Sequence, residues 1–489
     1  EMQLKIGQVD ISRIEIDLRS RDEIPKLLLG LQAIYEDREI RKEVFGILEG
    51  IVPKGVDCNN GRPGMELWNI LVLGALRLNC NWDYDKVLEI ANNHKVVREF
   101  LGHRVFEFDQ RYSLQTIKDN ISLFSTEVLD RISQAVVRHG HNQMGKGGSL
   151  KGRCDSFVGK TNVHYPTDIN LLLDAMRKVI ELTARHCNAV GIAGWRQAGH
   201  NYKKIKKLFN KVRKLKRSNF KKEKKRVQQD QLIVSAHMAY IELCECYLKR
   251  VRETIRIVDG VNVDTVVGII VIEKFIRDAE REIDQIRRRV ARGETIDHDE
   301  KVFSIFEEHT EWICKGKAGV SQELGLRVCI LEDQYGFILH HHVMEKQTDD
   351  KIAVEMVREA KRKFSNLNSC SFDKGFHSQE NQKDLWELLD SVVLPKKGKL
   401  SAKDKEIEHA EEFVAARKKH AAVESGINAL ENHGLDRCPD HGIIGFKRYV
   451  ALSILARNLQ ILGDKIQKKK LKRLKRLNKA QSQPYPLAA

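Results

Sequence analysis

Apolar positions follow two different periods along this chain. In the first third they recur every three or four residues, as at Leu27, Leu28 and Leu31, which is typical of amphipathic helices. Four glycines between Gly140 and Gly148 interrupt this pattern, so we predict an all-helical domain over residues 1–148. The clearest further helices are predicted over residues 66–78, 85–101 and 114–129.

The middle of the chain carries the longest helical pattern. From residue 169 to about 302, apolar residues keep spacings of three and four, beginning with Leu171, Leu172 and Ala175. Only 8 prolines occur in 489 residues, so few helix breakers interrupt such patterns. We predict two to four long helices, packed as an antiparallel bundle or coiled coil.

After residue 302 the period changes to two. Leu326, Val328 and Ile330 begin one alternating run and residues 336–343 form another, which predicts a β-hairpin. Helices and strands then alternate, which predicts a mixed α/β domain, residues 149–168 and 303–464, with the helices of 169–302 inserted and a basic tail at 465–489. The predicted elements are helix 349–364, a strand into Asp373, helix 379–389, strand 392–394, and helices 404–429 and 445–462.

The amino-acid composition limits the classes of partner that the protein is expected to bind. Lys and Arg number 85 against 68 Asp and Glu, so the formal net charge is +17 and the pI about 9.3. This balance favours a polyanion, with nucleic acid ahead of an anionic membrane surface. No apolar stretch approaches the roughly 18 residues that span a bilayer, and the first residues lack the apolar core of a signal peptide. The 10 cysteines are scattered, so we expect a cytoplasmic protein.

Three acidic residues stand out by their surroundings. Asp155 follows the glycine boundary and is predicted to begin a short strand, Asp373 ends a strand, and Glu424 lies within a later helix. Taken singly, each is most simply a solvated surface carboxylate. Together they could converge to hold two divalent cations about 3.5–4 Å apart. Carboxylate oxygens are the ligands that Mg²⁺ prefers, and its remaining waters can be displaced by a phosphate.

Five motifs in a fixed order give the chain a family resemblance. Through them residues 149–465 resemble the DDE transposases of bacterial insertion sequences, most closely the ISNCY-like group. The segment Gly61, Arg62 and Pro63, with the helix at 66–78, resembles the leader domain of such transposases. The motifs are Asp155 with HYPTD at 164–168, WICKGK at 312–317 with ELG at 323–325, FDKGF at 372–376, VLPKKG at 393–398, and Glu424 followed by GLDR at 434–437 and LARNL at 455–459.

The resemblance implies a fold and a reaction. The fold is an RNase H-like core with a large all-α insertion between its first and second strands. Asp155, Asp373 and Glu424 would bind two Mg²⁺ or Mn²⁺ ions, one activating the attacking water or DNA 3′-hydroxyl and the other stabilising the leaving oxygen. The protein would bind the terminal inverted repeats of its element, cleave at the ends and transfer the 3′ ends to target DNA. It would act as a homodimer or larger assembly in a bacterial or archaeal nucleoid.

The helix around Glu424 departs from a common relative of this pattern. Many such transposases have Tyr-x2-Arg-x3-Glu-x6-Lys there, whereas the matching positions of this sequence are Arg417, His420, Glu424 and Glu431. Without the Tyr and Lys, the base and phosphate contacts of those relatives have no counterpart. Glu431, seven residues on and on the same helical face, is a rival to Glu424 as the third metal ligand.

Basic residues supply candidate DNA contacts. In residues 203–226 cations alternate with apolar residues at helical spacing, so one helix face can pack while the other presents charge. The run at 465–476 is nearer a flexible tail, and both runs would bind phosphates with an affinity that falls steeply with salt. The candidate DNA-binding residues are Lys203, Lys204, Lys206, Lys207, Arg213, Lys214, Lys216, Arg217, Lys396 and Lys397.

Other interpretations stay open at this point. Helices 66–78 and 85–101 could form a helix-turn-helix that reads DNA, or could serve packing or dimerisation. A catalytically silent, transposon-derived DNA-binding protein would need the charge but not all three acids. A helical scaffold for RNA would leave the strands around Asp373 unexplained. Three features are more simply structural than functional: Cys438 with His441 (half of a zinc spacing), the run His340, His341 and His342, and Trp195.

Overall fold

The computed structural model describes residues 8–52, 64–104, 107, 109–145, 148–217, 223–258, 263–314 and 322–481. It divides into two compact units: residues up to Asn162 together with those from Glu311 onward, and Val163–Thr310. The predicted motif at Gly61, Arg62 and Pro63 and the lysines of WICKGK lie outside the described residues. Within the described ranges, no helix combines the length and apolarity that crossing a membrane requires.

Amphipathic helices form the N-terminal part of the first unit, as predicted. The predicted helix 85–101 is two helices, because His94 ends one and caps the next by accepting from the backbone N–H of Val97. The predicted helix 114–129 is also two, since Ser125 caps a new helix. The helices are α1 (Glu23–Glu36), α2 (Arg38–Leu48), α3 (Leu67–Asn79), α4 (Tyr84–Asn93), α5 (Lys95–Phe100), α6 (Leu114–Ile121) and α7 (Thr126–Gln143).

A mixed sheet follows these helices. Its strand order is β2-β3-β1-β5-β6, with β4 paired to β3 and β7 paired to β1. The central strand β1 is antiparallel to β3 and parallel to β5, and β5 is parallel to β6. The strands are β1 (Leu150–Thr161), β2 (Glu311–Cys314), β3 (Gln322–Glu332), β4 (Ile338–Met344), β5 (Leu367–Phe372), β6 (Ser391–Val393) and β7 (Arg437–Cys438).

The predicted hairpin is confirmed, and one strand is longer than predicted. Asp333 forms the β3–β4 turn by accepting from the backbone N–H groups of Tyr335 and Phe337, at 2.7 and 3.0 Å. The prediction that Asp155 begins a short strand is wrong, because β1 starts at Leu150 and Asp155 lies within it. Glycine and charged residues weaken the local β pattern there, and pairing with β3 and β5 on both sides supplies the stability that the local sequence lacks.

The C-terminal helices cover the sheet. The predicted helix 404–429 is three short helices, and the predicted flexible tail at 465–476 is wrong, because α17 continues through it as a helix. The helices are α12 (Asp349–Lys363), α13 (Gln379–Leu388), α14 (Ala402–His409), α15 (Glu411–His420), α16 (Ala422–Leu430) and α17 (Gly442–Gln481).

One hydrophobic core runs through the first unit. α17 packs against α1, α3, α7 and β4, so a single helix contacts both the N-terminal helices and the sheet. α3 is buried along nearly its whole length, which favours the packing alternative for this half of the predicted helix-turn-helix. The domain boundaries 1–148, 149–168 with 303–464, 169–302 and 465–489 stay predictions, and the core is continuous across residue 148.

Two glycines allow α1 and α17 to cross in backbone contact. A methyl group on Gly30 would collide with the backbone oxygen of Leu459, and one on Gly463 with that of Lys26. We expect Gly463→Ala to lower the free energy of unfolding by about 1–3 kcal/mol, because the two helices would have to separate. Urea unfolding measures the change. Gly46→Ala on α2 is the control: a methyl there meets nothing within 4 Å, so it should stabilise by about 0.5–1 kcal/mol. Similar losses in both variants would contradict the packing argument.

The described residues of the second unit form four long helices, which confirms the upper end of the predicted number. α8 contacts each of the other three. Trp195 is 3% exposed and donates to Thr254 Oγ1 at 3.0 Å, which confirms the prediction of a core tryptophan. The helices are α8 (Asp168–Ala189), α9 (Ala198–Arg217), α10 (Glu223–Val258) and α11 (Val263–Ala291).

A buried acid makes the second unit sensitive to pH. Glu282 of α11 is 1% exposed, and its Oε2 lacks a hydrogen-bond partner among the described residues. Burial, with a contribution from Asp168, raises the pKa of Glu282 from 4.5 to about 8. Between about pH 4.5 and 8, the folded protein keeps this proton, whereas the unfolded chain has lost it. The free energy of unfolding therefore falls as the pH rises through this range.

We expect Glu282→Gln to remove this contribution to the pH dependence, because the amide carries no titrating proton. The variant should gain stability over the wild type as pH rises from 5 to 8, by up to about 1.4 kcal/mol per pH unit. Urea unfolding at both pH values measures it. Glu273→Gln, at an exposed position of the same helix, is the control and should track the wild type. A Glu282→Gln difference that is constant with pH would contradict the prediction.

Candidate active site

Two of the predicted acids follow paired positions on adjacent strands. β1 and β5 are parallel, and Cys154 pairs with Phe372. Asp155 and Asp373 are the next residues of their chains, so they lie side by side across strands about 4.8 Å apart. Asp155 still belongs to β1, where it pairs with Ile330 of β3, whereas Asp373 directly follows the end of β5. The register of β1 and β5 thus brings together two carboxylates that are far apart in sequence.

The third acid comes from α16, which packs onto β1. Val423 and Ile427 are buried on the inner face of this helix, while Glu424 is exposed. Gly426 allows a close approach to β3, since a methyl group there would lie 2.5 Å from Glu332 Oε2. The backbone of α16 is therefore held close to the sheet at the position that carries Glu424.

The charges of these acids act on Asp155. The pKa of Asp155 is raised from 3.8 to about 6. Burial is the largest cause, and the charges of Asp373, Asp349 and Glu424 raise it further, against a hydrogen bond from the backbone N–H of Ser156. Asp155, Asp373 and Glu424 are called the acid cluster below. Because like charges crowd Asp155, a bound cation would stabilise its ionised form.

A family comparison covers the part of the chain that contains Asp373 and Glu424. Residues 291–459 match the family described as the transposase DDE domain. The chain carries a transposase DDE domain. This confirms the resemblance to the DDE transposases of insertion sequences, while the narrower ISNCY-like group stays a prediction. No curated protein and no solved structure matches the chain. Asp155 lies outside the matched residues, so the strand register and the pKa shift alone associate it with the domain.

His420 connects α15 to β5 in the DDE domain, and both of these elements adjoin the acid cluster. It ends α15, and its Nδ1 is 2.9 Å from Ser371 Oγ, on β5 two residues before Asp373. Burial lowers the pKa of His420, while the charges of Asp373 and Glu424 act in the opposite direction. The ring is therefore neutral at physiological pH and fixes the end of α15 against β5. It occupies the place where many related transposases have Arg.

Asp349 is a carboxylate that the sequence interpretation missed. It begins α12, accepts a hydrogen bond of 2.6 Å from Ser156 Oγ, and contributes to the raised pKa of Asp155. Its only local signal is an acid in the first turn of a predicted helix, which is a common capping feature. Nothing in the sequence connects it to Ser156.

Glu431, the alternative candidate for the third metal ligand, lies at the end of α16. Glu431 begins a π-helical turn that ends at Leu435, beyond Glu424. Glu424 is among the charges that raise the pKa of Asp155 and act on His420. Within the described ranges, no group of three or more His, Cys, Asp or Glu side chains is arranged as a metal cage. The assignment of metal ligands therefore stays a prediction.

The predicted DNA-binding residues fall on two surfaces of different character. On α9, the apolar residues Ile205, Phe209 and Val212 are buried, as the amphipathic pattern predicted. In the DDE domain, Lys396 is paired with Asp404 at 2.5 Å, while Lys397 is exposed. The candidate cations of α9 are all exposed: Lys203, Lys204, Lys206, Lys207, Arg213, Lys214, Lys216 and Arg217.

The residues that we interpreted as structural have structural contacts. Cys438 is buried in β7, with its thiol 3.7 Å from the backbone oxygen of Asp440. On β4, His340 Nδ1 is 3.0 Å from Lys363 Nζ, and His342 Nε2 is 2.8 Å from Gln347 Oε1. The packing interpretation is confirmed for these histidines.

Proposed function

We propose that this protein is a DNA transposase that binds the ends of its element, cleaves there and transfers the 3′ ends to target DNA. The observation that carries the proposal is the acid cluster, formed on and beside a transposase DDE domain. The strand order and directions support an RNase H-like core, because an antiparallel β3–β1 pair continues into the parallel strands β5 and β6. We further propose that the protein acts as a homodimer or larger assembly on DNA.

The donors of the acid cluster fit divalent cations. All are carboxylates, and burial together with their mutual repulsion raises the pKa of Asp155. Asp155, Asp373 and Glu424 would hold two Mg²⁺ or Mn²⁺ ions, whose preferred ligands are hard oxygens. When bound, such ions activate a water or DNA 3′-hydroxyl and stabilise the leaving oxygen of an in-line phosphoryl transfer. His420, held by Ser371, keeps α15 and the adjoining α16 against the sheet, which orients Glu424.

The chain's cations would hold the DNA. The exposed lysines and arginines of α9 form one face of a helix whose other face is buried. Lys397, in the loop after β6, is a further exposed cation that would contact DNA phosphates. Phosphate contacts of this kind position the duplex without reading its sequence.

The C-terminal part of α17 adds a cationic stripe. Lys469, Lys472, Arg473 and Arg476 follow spacings of three and four residues and line a groove with α1 and α7. We expect the double variant Lys469→Ala with Lys472→Ala to weaken duplex binding and to reduce the slope of log K against log salt by up to about 1.8, because two counterion-releasing contacts are lost. Fluorescence anisotropy over a salt series measures the slope.

Its control removes two lysines from the same helix outside that groove, Lys468→Ala with Lys475→Ala. The change in net charge is identical, so the salt slope should stay close to that of the wild type. Equal reductions in the two double variants would show that overall charge, rather than the stripe, determines binding.

The decisive experiment for the function is DNA cleavage. Purified protein should nick or excise plasmid DNA that carries the genomic flanks of its gene, in the presence of Mg²⁺ or Mn²⁺ and not of a chelator. Binding of the same DNA in a gel shift, without cleavage under either ion, would instead identify a catalytically silent DNA-binding protein.

A further inference from the structure

Asp349 connects the N-terminus of α12 to the strand that carries Asp155. Its carboxylate accepts a hydrogen bond of 2.6 Å from Ser156 Oγ. Ser156 directly follows Asp155, and its backbone N–H donates to Asp155 Oδ1 at 2.7 Å. The negative charge also lies in the first turn of α12, where the helix dipole stabilises it. A short hydrogen-bonded path therefore leads from α12 to Asp155.

The same carboxylate also lies against the turn that follows Asp373. A methyl group on Gly375 would lie 3.0 Å from Asp349 Oδ2, closer than ordinary van der Waals contact. Gly375 is two residues beyond Asp373, so Asp349 touches the segments that follow both strand-borne acids. One side chain thus lies against both β1 and the turn after β5.

Asp349 also adds charge to the site. Its carboxylate contributes to the Coulomb repulsion at Asp155, as do those of Asp373 and Glu424. A further negative charge close to a set of carboxylate ligands strengthens the attraction of a divalent cation, and at a partly buried position this attraction is only weakly screened.

We propose that Asp349 is a positioning residue of the acid cluster: it fixes the spacing of Asp155 and Asp373 through Ser156 and Gly375, and its charge increases the affinity of the cluster for divalent cations. This inference rests on the proposed function for the identity of the ions. Asp349 acts through its neighbours and through its charge, without being one of the three ligands.

The two roles can be separated by substitution. Asp349→Asn keeps an oxygen that accepts from Ser156 and removes the charge, whereas Ser156→Ala removes the hydrogen bond and keeps the charge. Asp350→Asn is the matched control, because it makes the same change at the next residue of α12, and the Asp350 side chain has no hydrogen bond or ion pair with any described residue. Mn²⁺ binding to the full chain, followed by electron paramagnetic resonance without DNA, provides a readout independent of activity.

We expect Asp349→Asn to weaken Mn²⁺ binding about tenfold, the scale of one nearby charge at a partly buried site. Asp350→Asn should stay within about twofold of the wild type. Ser156→Ala should keep Mn²⁺ affinity within about threefold but lower the cleavage rate at saturating ion about tenfold or more, because the reacting groups lose their alignment. Thermal melting of each variant identifies any loss of folding.

Each outcome bears on a different claim. Equal Mn²⁺ affinities for Asp349→Asn and Asp350→Asn would overturn the role of Asp349, as would a wild-type chain that binds no Mn²⁺. A wild type that binds Mn²⁺ but cleaves no DNA would overturn the proposed function, while a selective loss of Mn²⁺ affinity in Asp349→Asn would still support the positioning role.

Discussion

Asp373→Asn should reduce metal-dependent DNA cleavage by at least about 10³-fold while leaving the fold intact. The amide keeps the size and one oxygen of the carboxylate but loses the negative charge that a divalent cation requires. Metal ions contribute several kcal/mol of transition-state stabilisation in phosphoryl transfer, which corresponds to a loss of this order. Asp373 is exposed at the end of β5, so the substitution removes no buried contact. Single-turnover cleavage of end-containing DNA measures the loss.

The control for this variant is Asp390→Asn, an exposed acid directly before β6. It changes the net charge equally and should cleave like the wild type. Asp155→Asn should match the loss in Asp373→Asn, since the register of β1 and β5 places the two acids side by side. Full cleavage by either acid-cluster variant would refute its assignment as a metal ligand.

Substitutions can distinguish between Glu424 and Glu431 as the third member of the acid cluster. Glu424→Gln should lose cleavage to a similar extent, because the charge of Glu424 acts on Asp155. Glu431→Gln should retain most of it, because Glu431 lies seven residues further on, in the π-helical turn. The reverse result would transfer the third role to the π-helical turn that begins at Glu431. Thermal melting of both variants distinguishes lost chemistry from lost folding.

Local patterns predicted the parts of the fold that local interactions determine. The hairpin at Asp333 and the helix over 349–364 could be predicted because alternation and helical spacing are properties of a few neighbouring residues. The three short helices found in place of the predicted helix 404–429 could not, since α14 ends at His409 and α15 at His420. The residues that follow them, Ala410 and Ala421, do not break helices. α15 packs against β5 and β6, and α16 packs against β1, which are long-range contacts that no local pattern records.

In the candidate site, too, residues within local motifs could be predicted, whereas a residue that depends on a long-range contact could not. Asp155, Asp373 and Glu424 were recognisable because each lies within a family motif, and the charges of Asp373 and Glu424 act on Asp155. Asp349 was not recognisable, because its contact with Ser156 spans 193 residues and depends on the register of a strand whose start was misjudged. Long-range hydrogen bonds leave no periodic signal in one sequence.

A second long-range contact explains Asp440, which lies in the half zinc spacing between Cys438 and His441. Arg77 of α3 is bonded to Asp440 at 2.7 and 3.4 Å, across 363 residues. The guanidinium lies 3.9 Å from the centre of the Tyr84 ring. Only 3% of the Arg77 side chain and 11% of the Asp440 side chain are exposed. Hydrogen bonds and charge attraction from Asp440 outweigh burial and raise the pKa of Arg77, so the guanidinium keeps its charge at any physiological pH.

Arg77→Met should therefore lower the free energy of unfolding by about 3–5 kcal/mol, because it leaves the Asp440 carboxylate buried without its main partner. Arg448, 3.8 Å from Asp440, offsets only a part of that loss. Replacing both partners, Arg77→Met with Asp440→Leu, should recover most of it, since no buried charge remains unpaired. Lys86→Met is the control, because the Lys86–Glu89 pair is about half exposed and contributes at most about 1 kcal/mol. Urea unfolding of the wild type and these three variants measures the changes. A loss in Arg77→Met no larger than in Lys86→Met would mean that apolar packing alone holds α3 to the segment before α17.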